Sequence, residues 1–164
     1  MNPMKQILLI ALAVALLGAC ASPNPVEKKS SFVYAISASD TINPDINGRP
    51  SSVLLRVYQL KSKRNFENAR YEDIFSQGQH TLGAEFLSVD EYLIDPNTNM
   101  QIELEVLEAS RFIGIAVGFR SINATNWRTV IAMPEKSSLN PIGLFSAQGI
   151  QIFVDELSVR TEAL

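Results

Sequence analysis

The chain has 164 residues, of which 14 are basic and 17 acidic, giving a net charge of −3 with one cysteine and one histidine. A mildly acidic charge without a basic face argues against nucleic-acid binding. One cysteine excludes an intrachain disulfide framework, and one histidine beside it excludes the common zinc sites.

Three segments are expected: a leader over 1–19, a tether over 20–31 and a single domain over 32–164. In the leader, Lys5 follows a charged amino terminus, and Ile7 to Leu17 is an unbroken apolar run of eleven residues. As a helix that run rises about 16 Å, whereas a bilayer core needs about 20 residues, so it has the length of a signal-peptide core rather than of a membrane span. A start at Met4 would leave the mature chain unchanged. Leu17-Gly18-Ala19-Cys20 resembles the bacterial lipobox, with cleavage before Cys20 and lipid on its sulfur. Lipidation accounts for a lone cysteine in an exported chain, where an odd thiol is otherwise anomalous. Three acyl chains, at about 0.8 kcal/mol per buried CH₂, would hold the protein on its membrane. In lipoproteins of this kind an aspartate after the cysteine retains the protein at the inner membrane; Ala21 therefore points to the periplasmic face of the outer membrane. Removal of 1–19 takes away one basic residue, Lys5, and leaves 13 basic against 17 acidic.

Ala21 to Ser31 carries two prolines and almost no apolar content, the composition of an extended linker reaching at most about 35–40 Å. Alternation then begins. Phe32, Tyr34 and Ile36 share a face of one strand, and Asp40 to Pro50 is a loop by its Asn-Pro and Asn-Gly content. Within it Gly48 permits positive φ and Pro50 sets the entry to the next strand. Ser52 to Leu60 is a strand with Val53, Leu55 and Val57 on one face and Arg56 and Tyr58 on the other. Phe66 to Gln77 has helical spacing, with Asn65 as N-cap and Gly78 as stop. Ala84 to Ser88 is ambiguous. Strands follow at Val89–Ile94, closed by the Asp95-Pro96-Asn97 turn, and at Met100–Val106, where Ile102 and Leu104 alternate with Glu103 and Glu105. Phe112 to Arg120 puts Ile113, Val117 and Phe119 on one face; Gly114, Ala116 and Gly118 on the other invite close packing. Arg128–Met133 and Ile150–Val159 complete six or seven strands and one helix, a mainly β sandwich with an inserted helix.

Catalytic equipment is sparse. His80 is expected in a polar turn between Gly78 and Gly83, as a solvated loop histidine, and a Ser-His-Asp triad would depend wholly on it. No Gly-rich phosphate loop is present. A carboxylate-pair hydrolase stays open on sequence alone, although Glu103, Glu105, Glu72 and Asp73 suit wet faces of a strand and a helix. Trp127 beside Arg128 is either a core residue or a binding platform. The expectation is a protein that is not an enzyme and needs no cofactor, metal or small-molecule substrate.

The motifs combine into a resemblance. Gly48-Arg49-Pro50-Ser51-Ser52-Val53-Leu54-Leu55-Arg56-Val57-Tyr58-Gln59-Leu60, then TyrGluAspIlePhe at 71–75, Leu82-Gly83, Ile113 to Arg120 and Trp127-Arg128, behind a lipobox, resemble the TssJ (SciN) family of type VI secretion outer-membrane lipoproteins. The resemblance implies a transthyretin-like two-sheet β-sandwich with short extra helical elements. It also implies docking of the periplasmic C-terminal region of the inner-membrane component TssM, tethering the secretion complex to the outer membrane. In that family the loop between the first two strands contributes to the contact. Here the matching loop offers Asn43, Asp45, Asn47 and Arg49 as partner-binding residues. A ligand-binding or inhibitory lipoprotein on the same fold, or a cell-wall hydrolase, are the alternatives.

Overall fold

The computed structural model describes residues 30–121, 126–133 and 149–163. Among them eight strands form two four-stranded sheets. The chain order is β1 (Ser30–Ala38), β2 (Val53–Leu60), α1 (Arg64–Asn68), α2 (Tyr71–Leu82), a 3₁₀ turn (Gly83–Glu85), β3 (Phe86–Ile94), β4 (Asn99–Val106), β5 (Phe112–Val117), β6 (Arg128–Ala132), β7 (Gly149–Val154) and β8 (Val159–Ala163). One sheet has the order β4-β1-β7-β8 and the other β3-β2-β5-β6. All pairings are antiparallel except β1 with β7. The expected two-sheet sandwich is therefore the fold.

The core between the sheets follows from alternation. Val53, Leu55, Val57, Ile113, Val117 and Phe119 are buried there from one side, facing Phe32, Tyr34, Ile36, Leu104 and Ile152 of the other sheet. Ile102 is half-buried at the margin of the same cluster. Tyr34 donates to Tyr92 across the sheets at 2.7 Å, and burial raises its pKa. On β3, an edge strand, alternation puts Asp90 on the same inner face as Tyr92, and an inward charge there discourages pairing with another chain's strand.

A third layer covers the outer face of β2 and β5. Tyr58, Leu60 and Ala116 are buried against Phe66, Ile74 and Leu82 of the two helices. The face carrying Arg56 and Tyr58 is thus an internal surface rather than an open one. The small residues of β5 make room for it. A Cβ on Gly114 would lie 3.0 Å from both Leu60 Cδ1 and Phe66 Cζ, and one on Gly118 would lie 3.2 Å from Phe75 Cε1.

Several expectations need correction. The single helix is two, because the backbone at Ala69 is extended and breaks the run. Asn65 lies inside α1, its amide group donating to Leu82 O at 3.2 Å. The helix does break at Gln77 (φ −147°), beside the expected stop at Gly78, but helical turns resume and α2 ends at Gly83, whose φ of 55° suits glycine without strain. Ile150–Val159 is a hairpin of β7 and β8, turned where Asp155 N–H bonds Ser158 O. Ser30 and Ser31, expected in the tether, open β1.

Candidate partner-docking loop

The connection from β1 to β2 is built in two tiers. At its base Ile42 is fully buried in the core, and Asn43 beside it is 4% exposed with φ 49°, a left-handed conformation asparagine tolerates. The Asn43 amide ties together three segments. Its Nδ2 donates to Ser51 Oγ at 3.1 Å and Ser52 O at 2.8 Å, and its Oδ1 accepts from Arg120 N–H at 2.7 Å. Its own N–H bonds Glu156 O in the β7–β8 turn at 2.9 Å. A buried polar group must be bonded in this way.

The upper tier is a miniature hairpin. Asp45 N–H donates to Arg49 O at 2.8 Å and Gly48 N–H to Asp45 O at 2.9 Å, enclosing Ile46, Asn47 and Gly48. Gly48 has φ 74°, the left-handed third position such a loop requires. The Asp45 carboxylate locks it: Oδ1 accepts from Asn47 N–H at 2.8 Å and Arg49 N–H at 2.9 Å, and Oδ2 accepts from Arg49 Nε at 2.9 Å and Nη2 at 2.8 Å. The backbone N–H of Arg49, followed by its guanidinium and Asn47 N–H, holds the Asp45 carboxyl below its usual pKa. At the apex Ile46 is 99% exposed.

Of the four loop residues singled out from sequence, Asp45, Asn47 and Arg49 lie in the displayed upper tier. Asn43 is internal and supports the loop. Ile46 was not among them; the sequence offers two isoleucines in this loop, Ile42 and Ile46, and does not say which is displayed. Cys20 and Ala21 lie outside the described residues.

The remaining candidates serve the architecture. Arg56 Nη1 donates to Ile74 O at 2.8 Å and Phe75 O at 3.0 Å, and its Nε lies 2.6 Å from Glu91 Oε1. Arg128 Nη1 bonds Phe66 O at 2.8 Å and Ala69 O at 2.6 Å, closing the end of α1. Trp127 is half-buried and packs edge-on against Tyr71, with the Arg128 guanidinium 4.5 Å from its ring centre. His80, exposed and part of α2 rather than of a turn, borders an open groove of about 800 Å³ beside Arg56, Tyr58 and Glu91. Among the described residues no cluster of three His, Cys, Asp or Glu could hold a metal, and no helix is long and apolar enough to cross a membrane.

The architecture is a two-sheet sandwich with helices on one outer face and a braced loop at one end. Residues 30–157 match the family described as type VI secretion lipoprotein, VasD, EvfM, TssJ, VC_A0113, and the chain belongs to that family. Similar solved structures include the T6SS lipoprotein TssJ1 from Pseudomonas aeruginosa, 24% identical over 83% of this chain and 97% of that one, with a TM-score of 0.74. Serratia marcescens Lip, a membrane-bound component of the type VI secretion system, is 20% identical over 81% and 97%, TM-score 0.75. A chain from the structure described as the T6SS protein TssM C-terminal domain (869–1107) from EAEC is 21% identical over 82% and 98%, TM-score 0.63. No curated protein matches by sequence.

Proposed function

We propose that this lipoprotein is a non-catalytic scaffold. It is anchored in the outer membrane through Cys20 and docks the periplasmic C-terminal region of a TssM-like inner-membrane protein through its β1–β2 loop. One observation carries the reading. The tether enters β1 at Ser30, and the loop leaves from the other end of the same strand after Ala38. Nine residues of strand span about 30 Å. A protein held by its N-terminal lipid therefore displays the loop on its far side, toward the periplasm and the inner membrane. The loop is braced by Asn43 and by the Asp45–Arg49 pair, so it meets a partner already ordered. Binding residues on loops held by rigid frameworks are the common arrangement.

In this reading residues 1–19 are removed, Cys20 carries the lipid, Ala21 permits sorting to the outer membrane, and the segment from Cys20 to β1 is the tether. Calorimetry between the lipoprotein in detergent and the TssM periplasmic domain tests the docking, and absence of heat of binding would overturn it. Fatty-acid labelling of Cys20→Ala tests the anchor; label equal to wild type would overturn it. Ala21→Asp is expected to move the protein to inner-membrane fractions on a sucrose gradient, and unchanged fractionation would overturn the sorting assignment alone.

A further inference from the structure

Resting on that docking reading and sharpening it, we propose that Ile46 is the apolar anchor of the interface, seated in an apolar socket of the TssM periplasmic domain, with Asp45 and Arg49 as positioning residues. Ile46 is 99% exposed, the most exposed large hydrophobic side chain among the described residues; Leu93 follows at 72%. The core position that this loop supplies is already taken by Ile42. Isoleucine is also disfavoured in a turn on local grounds, since β-branched side chains favour strands and turn positions favour Gly, Pro, Asn, Asp and Ser. Local folding thus gives no reason for isoleucine here, and the packing of the domain gives none either.

The hydrogen bonds around it give the reason for its presentation. Four donors converge on the Asp45 carboxylate, and Asp45 and Arg49 also pair through the backbone. Arg49 itself is 75% exposed and spends its guanidinium on Asp45 across the loop. The upper tier is therefore held in one shape with the Ile46 side chain exposed. Ordering before contact removes part of the entropy cost of association, and a short branched side chain has few rotamers to lose. An apolar knob on a preordered polar loop fits a socket lined by apolar side chains, with a polar rim meeting Asn47 and Arg49.

The test uses the full lipoprotein in detergent and the TssM periplasmic domain. Removing a fully buried isoleucine contact corresponds to about a ten- to hundredfold loss of affinity, which Ile46→Asp is expected to reach, whereas Ile46→Val is expected to stay within about tenfold of wild type. Asp45→Ala is expected to lower the melting temperature slightly and to weaken binding with a more unfavourable binding entropy; a lowered melting temperature with wild-type affinity and binding entropy would overturn its positioning role. Wild-type affinity in Ile46→Asp overturns the anchor and leaves the docking reading standing. Loss of self-association in Ile46→Asp with TssM binding intact also overturns it, by assigning Ile46 to a second copy of this chain. No binding by the wild-type protein overturns the docking reading, and this inference with it.

Discussion

Replacing Asn43 with alanine probes the base of the loop through two separable terms. The first is hydrogen bonding: the change removes both Nδ2 bonds to the Ser51 and Ser52 segment and leaves Arg120 N–H without its 2.7 Å acceptor. Losing these bonds around a side chain only 4% exposed costs about 1–3 kcal/mol. The second is the backbone, because φ of 49° costs an alanine about 1–2 kcal/mol that asparagine largely avoids. Together Asn43→Ala is expected to cost about 2–5 kcal/mol. Asn43→Gly loses the same bonds but tolerates the left-handed backbone, so it should retain about 1 kcal/mol more than alanine. Urea unfolding followed by fluorescence of Trp127, the only tryptophan, measures both. A loss below 1 kcal/mol in the alanine variant would refute the bracing role. Equal losses in the two variants would refute the backbone term.

Other outcomes follow from the packing. Leu104→Ala empties a side chain that is 5% exposed and should cost about 2–5 kcal/mol in chemical unfolding. Gly114→Ala places a Cβ 3.0 Å from the Leu60 and Phe66 side chains, which must give by a few tenths of an ångström in a packed layer; overpacking of this kind costs about 1–3 kcal/mol, read as a lowered melting temperature. Arg128→Met strips the Phe66 and Ala69 carbonyls of their donor and should cost about 1–3 kcal/mol, with α1 exchanging its amide hydrogens faster. Because the folded Asp45 carboxyl titrates below its ordinary value of 3.8, its contribution to loop order is complete above that value and is lost as pH falls through the lower folded value. NMR signals of Asn47 and Gly48 should hold steady from pH 7 to 5 and change only below about pH 4.

Alternation by itself settled where most strands lie and which way they face. The rule is local: in a half-buried strand every second side chain meets the core, whichever partner supplies the other side. Hence Val53, Leu55 and Val57 face the core as their spacing required. The small residues of β5 announced a close neighbour without naming it. Only packing in three dimensions identified the helices and turned Arg56 and Arg128 inward as donors to helix carbonyls. The helical spacing continued past the break at Ala69 because spacing records a face and not a change of direction. In the β1–β2 loop, polarity pointed the wrong way for two residues. Asparagine is by habit a surface residue and isoleucine a core one, yet Asn43 is buried at 4% exposure and Ile46 stands out at 99%. Three chain segments converge at the base of the loop with backbone groups that only a polar side chain can satisfy, and Ile42 fills the apolar space beside them. That convergence joins residues as far apart as 43, 120 and 156, and no local pattern records it.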